Sequence, residues 1–253
     1  MINILKLFSL TFILSFSHLA LAKSGYVAIV IDDIGYRHSD EKALDLPGSV
    51  TYSILPHTPY GKKLALKANK QNSEVLLHIP MESLNGKRLG PGALTSNMSK
   101  QAIYQSLTTS LEEIPFAIGI NNHMGSRLTA LYKPMSWTMN FLKEKNLFFL
   151  DSKTIRNSQA EKAAIDYGVP IRKRHIFLDN ELTDDYIEQQ FNELIAQAHI
   201  SDFVIAIAHP HPKTVKNLTR LIPRLKAQNI SLVPLSSFYI EQNIKTVVLN
   251  FTE

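Results

Sequence analysis

The sequence predicts an α/β fold: a (β/α) barrel of seven to eight mainly parallel strands. Three observations carry this expectation. Short β-branched apolar runs recur near residues 26–31, 50–55, 74–79, 116–120, 147–150, 174–178, 203–208 and 230–235. Helical periodicity fills most of the intervals, and parallel neighbours need such crossovers. Most runs also end in acids, histidines, amides or serines, which a parallel barrel would gather on one rim.

Residues 1–22 read as a secretory signal. Lys6 is the positive start, Leu7 to Leu19 is mostly apolar, and Leu19-Ala20-Leu21-Ala22 has the small-x-small cleavage pattern. The apolar stretch is short for a span of roughly 20 residues, so no membrane span is expected after cleavage. The mature chain, 23–253, reads as one domain in the periplasm or outside the cell. It has no cysteine, which excludes disulfides, thiolate metal sites and thiol nucleophiles. The net charge of +5 is mild and scattered. The one basic run, Arg172-Lys173-Arg174, is too short to argue for nucleic acid and reads as a solvated strand start.

Taken in order, the first run, Val27 to Ile31, suits a strand buried on both faces. It ends in Asp32 and Asp33, with Gly35 supplying a bend. The longest irregular stretch, 83–98, carries Gly86, Gly90, Pro91 and Gly92. It reads as the wall of a cleft or as a surface excursion. Ser99 is placed to cap a helix with Ile103, Leu107 and Leu111 on one face. Pro134 suits a first helical turn, followed by Trp137 and Phe141. Thr183 caps a helix that opens with Asp184 and Asp185 and buries Ile187, Phe191, Leu194 and Ile195. Val215, Leu218, Ile222 and Leu225 form another stripe. A last edge strand is expected at 246–249.

On this scaffold the strand-end polar residues share a rim: Asp32 and Asp33, His78 and Glu82, Asn121 to His123, Asp151, Asp179, His209 and His211. Of two adjacent carboxylates, one can hold a metal while the other moves a proton. His78, His123 and His209 read as functional because they share the rim with Asp33. Imidazole and carboxylate without thiolate suit zinc or another divalent transition metal. His57 and His175 read as hydrogen-bonded structural groups, and His38 and His199 as surface positions. Met81 and Met124 read as packing. Asp151 and Asp179 are either groups orienting a histidine or helix caps.

The phrases Ile31-Asp32-Asp33-Ile34-Gly35, His78-Ile79-Pro80-Met81-Glu82, Asn121-Asn122-His123-Met124-Gly125-Ser126 and Ala208-His209-Pro210 resemble motifs of the NodB-like polysaccharide deacetylases. They most resemble those of the divergent polysaccharide deacetylase branch, and the likeness extends over about 25–240. It implies the NodB-like deacetylase barrel and a metal-dependent hydrolase. The substrate would be an N- or O-acetylated envelope glycan, with a divalent metal, zinc, as cofactor. It casts Asp32 as the base, Asp33 as a metal ligand and His209 as the acid. The superfamily's Asp-Asp-Gly has Ile34 inserted here. Its second metal histidine falls at Glu82, and its Arg-x-Pro motif is replaced around His123. The metal set is then rebuilt as Asp33, His78 and His123 with Glu82 nearby. Alternatively, the chain is a non-catalytic glycan-binding or envelope-assembly protein on a degenerate scaffold.

Overall fold

In this computed structural model residues 25–239 are described. The expected signal segment and the strand at 246–249 lie outside them. The strands are β1 (Gly25–Ile34), β2 (Thr51–Ile54), β3 (Val75–Met81), β4 (Gly119–Met124), β5 (Phe148–Asp151), β6 (Ile171–Lys173), β7 (Ile176–Phe177), β8 (Phe203–Ala208) and β9 (Ile230–Leu232). The helices are α1 (Gly61–Lys70), α2 (Lys100–Glu113), α3 (Tyr132–Glu144), α4 (Ala160–Tyr167), α5 (Asp184–Ile200), α6 (Pro212–Leu221) and α7 (Arg224–Ala227), with a 3-10 helix at His38–Asp45.

Every pairing between these strands is parallel. The order is β6-β5-β4-β3-β2-β1-β8-β7, with β9 beside the start of β1. The two ends of that order are consecutive in the chain. Arg174 N–H donates to Asp151 O at 3.0 Å, and His175 N–H donates to Ile205 O at 2.9 Å. One segment therefore leaves β5 and joins β8, bridging the open side of the sheet. This is why the strand expected at 174–178 is two short pieces. The stripe expected over 215–225 is likewise broken, because Pro223 has no N–H to continue α6.

Two apolar clusters follow from the period-2 alternation of side chains. Val27, Ile29, Ile31, Leu77, Ile79, Phe149 and Ala206 pack with the helices. Ala28, Val30, Leu76, Phe148, Leu150, Ile205 and Ile207 pack with Leu235, Phe238 and Tyr239. The second cluster fills the barrel, and the chain after β9 closes it from below. Along the inward rows the next positions up are Asp32, His78, Ser152 and His209. Alternation alone puts polar groups above an apolar plug.

Helix ends follow the capping expectations. Ser99 Oγ accepts from Ala102 N–H at 3.2 Å, and Thr183 Oγ1 accepts from Tyr186 N–H at 3.2 Å. No helix among the described residues is long and apolar enough to cross a membrane.

Candidate active site

Neighbouring residues on a regular strand face opposite ways, so Asp32 and Asp33 need a distortion to share a site. β1 supplies one. Its register with β2 shifts between Ile31 and Ile34, and Asp33 has φ 61°. Such bulges re-aim side chains. Gly35, at φ 138°, completes the turn, and its N–H donates to Asp40 Oδ2 at 3.1 Å. The extra residue before the glycine is therefore structural: it lets both carboxylates reach the mouth.

Three donors converge there. Asp33 Oδ1 lies 2.7 Å from His123 Nδ1 and 3.0 Å from His78 Nε2. One ligand atom from each of Asp33, His78 and His123 falls within 4.8 Å of the others. The His78 side chain is 2% exposed and that of Asp33 34%, so the cluster opens to solvent on one side. Burial would raise the Asp33 pKa, but the hydrogen bonds from His123 and His78 outweigh it and hold the carboxyl well below its usual range. Two imidazoles and a carboxylate without sulfur suit a divalent metal such as zinc.

Asn121 orders the floor. Its side-chain oxygen accepts from Ser53 Oγ and lies 2.8 Å from His78 Nδ1. An amide oxygen only accepts, so Nδ1 carries a proton and Nε2 faces the acids. The Asn121 amide nitrogen donates to Asp32 Oδ1 at 2.8 Å. Asp32 is 2% exposed, and burial lifts its pKa above the ordinary carboxylate value despite the nearby histidines. Its Oδ2 lies 3.7 Å from His78 Nε2.

His209 faces this group from β8. Its Nδ1 is 2.9 Å from Asp179 Oδ1, its N–H donates to Asp179 Oδ2 at 2.8 Å, and its Nε2 is 4.0 Å from Asp33 Oδ2. Thr214 Oγ1 also donates to Asp179. Burial pulls the His209 pKa down, but Asp179 and the site carboxylates outweigh it and raise it to about 9.

The remaining candidates lie elsewhere. Glu82 accepts from Ser96 N–H at 2.6 Å and pairs with Arg127 at 3.1 Å, away from the three converging donors. Asp151 Oδ1 accepts from Lys153 N–H, closing a turn. His175 Nδ1 accepts from Ile205 N–H, and His57 pairs with Glu113 at 2.6 Å; both serve structure. The His38 side chain is 70% exposed, but His199 is half-buried, with an Nδ1 that finds no partner.

Two cavities meet at the centre. An inner pocket of about 190 Å³ includes Asp32, His78, Met124, Ser152 and Phe177. An outer cleft of about 280 Å³ includes Tyr36, Arg37, Pro210 and His211. Asp33, His123 and His209 line both.

Residues 29–239 match the divergent polysaccharide deacetylase family. The chain belongs to that family. It is 40% identical over 224 residues to the uncharacterized protein YibQ of Escherichia coli K12, covering 88% of this chain and 70% of that one. An uncharacterized Agrobacterium tumefaciens protein of known structure superposes with TM-score 0.81 at 23% identity, covering 86% of this chain and 90% of that one. The peptidoglycan deacetylase PdaC of Bacillus subtilis superposes at 0.54 and 12%, covering 91% and 98%. A CE4 family pseudoenzyme of Bacillus anthracis superposes at 0.53 and 14%, covering 86% and 66%. These three share the fold.

Within this member of the family, one motif residue has a role the motif does not assign, and one contributor lies outside the motifs. Asn121 was visible only as an amide at an inward strand position, where burial requires partners. Arg174 was hidden in a basic run that looked solvated. Its guanidinium lies 3.8 Å from the Phe177 ring centre and donates to Ser152 O at 2.8 Å, at the edge of the inner pocket. The other members of that run are also engaged: Arg172 with Phe238 O and Lys173 with Glu161.

Proposed function

We propose that this protein is an exported, metal-dependent hydrolase that removes N- or O-acetyl groups from an envelope glycan. The observation that supports it most is the convergence of Asp33, His78 and His123 beside a buried Asp32 and an Asp179-held His209. Asp33, His78 and His123 would hold the ion. When bound, a divalent ion such as zinc supplies Lewis-acid polarisation of the acyl carbonyl and of water.

The chain's own groups handle the protons. Asp32, which accepts from the Asn121 amide and lies beside the imidazoles, takes a proton from the water that adds to the acyl carbon. Its raised pKa makes it a better base than an exposed carboxylate. His209 presents Nε2 because Asp179 occupies Nδ1. It gives its proton to the nitrogen or oxygen of the sugar as the bond to the acyl carbon breaks. Acetate and the free amine or hydroxyl are the products.

The test combines metal analysis with acetate release from acetylated envelope glycan. Wild type is expected to hold a stoichiometric divalent ion. Asp32→Asn keeps the ion and loses roughly 10²–10⁴-fold in acetate release, the usual span for a general base. His123→Ala loses the ion. A protein that takes up no zinc and releases no acetate would overturn this reading. The held position of Glu82 gives that outcome its own account, a glycan-binding or envelope-assembly role on a degenerate scaffold.

A further inference from the structure

The outer cleft has a chemistry of its own. Any substrate reaching the inner pocket past Asp33, His123 and His209 also meets the cleft that shares them. Tyr36, 49% exposed, offers a ring to that cleft. Arg37 and His211 line it and do not line the inner pocket.

The acid nearest in sequence to Arg37 is Asp40, which is 2% exposed. Its Oδ2 is taken by the backbone N–H groups of Gly35 and Arg37, at 3.1 and 3.0 Å. Among the described residues Arg37 forms no ion pair. Arg37 is exposed, and it stands on a cleft that leads to two carboxylates and is itself lined by the buried Asp40. Asp32 and Asp33 repel an anionic ligand, so an acidic substrate would need an offsetting positive group beside them. A guanidinium fork suits both carboxylate and phosphate oxygens.

We propose that the outer cleft holds the sugar adjoining the acylated one. Tyr36 lies against its ring, and Arg37 binds a carboxylate or phosphate that this sugar carries. The preferred substrate is then an acidic acetylated glycan. The placement of the acylated sugar rests on the hydrolase reading above; the anion recognition is measurable by binding alone.

The experiment uses calorimetry on the full-length, zinc-supplemented protein carrying Asp32→Asn, so that no probe is consumed. The probes are an N-acetylglucosamine hexamer, the same hexamer carrying 6-phosphates, a peptide-free hexamer alternating N-acetylglucosamine with N-acetylmuramic acid, and that last probe with its carboxylates methylamidated. At least one acidic probe is expected to bind roughly tenfold tighter than the neutral hexamer, within the range of a charge-assisted contact. Its advantage should fall as salt rises. The phosphate and carboxylate arms identify the source of the anion, and amidation should erase the carboxylate's advantage. Adding Arg37→Ala should bring the acidic probe down to the neutral one, while Arg37→Lys keeps part of the preference.

Equal affinity for acidic and neutral probes, or a preference that survives Arg37→Ala in a protein with an unchanged circular dichroism spectrum, would overturn the proposal. The two readings fail separately. An Arg37-dependent preference with no acetate release from the wild type leaves this cleft standing without the hydrolase. Acetate release with no such preference does the reverse.

Discussion

His209 owes its proton to Asp179. Free imidazole titrates near 6.5, and in the folded protein His209 titrates at about 9. Burial opposes that rise, and Asp179, bonded at 2.9 Å, more than offsets it. Because the native state binds this proton more tightly than the unfolded chain, its stabilisation is complete below about pH 6.5. It disappears as pH rises through about 9. Asp179→Asn should therefore move the His209 NMR titration in chelator-treated protein down from about 9, since burial is then opposed only by the carboxylates of Asp33 and Asp32. The variant's loss in melting temperature should have a pH-independent part, from the bonds to His209 N–H and Thr214. A second part should shrink between pH 6.5 and 9. An unchanged titration would show that Asp179 only positions the ring. At this scale the sequence displayed the titratable groups clearly, because Asp33, His78, His123 and His209 all stand at or near the ends of apolar runs. It could not say which of Asp151 and Asp179 serves a histidine. Both stand where an apolar run ends, and only the fold brings Asp179 to His209 while leaving Asp151 at the end of β5, accepting from Lys153 N–H.

At the scale of the element, the end of β1 decides whether the site exists. The bulge needs a residue with positive φ at Asp33 and then a sharp turn at Gly35. A Cβ on Gly35 would lie 2.2 Å from Thr58 Oγ1, in a backbone conformation that L residues avoid. Gly35→Ala is expected to cost more than about 2 kcal/mol in urea unfolding, as overpacking and strain add. Gly86→Ala is the contrast: its φ is 64° but nothing lies within 4 Å of the added carbon. There only the left-handed conformation is penalised, at about 1 kcal/mol. Equal losses would mean that the β1 turn relaxes freely. The helices capped by Ser99 and Thr183 were readable because their determinants lie within one turn of the cap. The split at 171–177 was not. Nothing local tells a strand to change neighbours halfway, and the choice is made by β5 on one side and β8 on the other.

Across the whole molecule, the mouth depends on a floor built by the last described residues. Phe238 and Tyr239 enter the barrel core, Tyr239 stacks on Phe148 at 3.8 Å, and its hydroxyl donates to Phe149 O at 3.0 Å. The guanidinium of Arg172 lies 5.7 Å from the Tyr239 ring centre and donates to Phe238 O at 2.5 Å. The floor is thus tied to β6, in the segment that closes the barrel. Convergence of strand ends on one rim was legible from the expectation of parallel strands in a barrel. The plug was not, because 233–239 reads as an ordinary continuation of the last apolar run. Phe238→Ala empties a fully buried ring position and should cost about 3–5 kcal/mol. Tyr239→Phe keeps the stacking and loses one hydrogen bond, at about 1 kcal/mol. Site residues lie at the other end of these strands, so zinc uptake by folded Phe238→Ala at low temperature should match wild type. Loss of uptake alongside a native circular dichroism spectrum would show that the floor sets the spacing of Asp33, His78 and His123 directly.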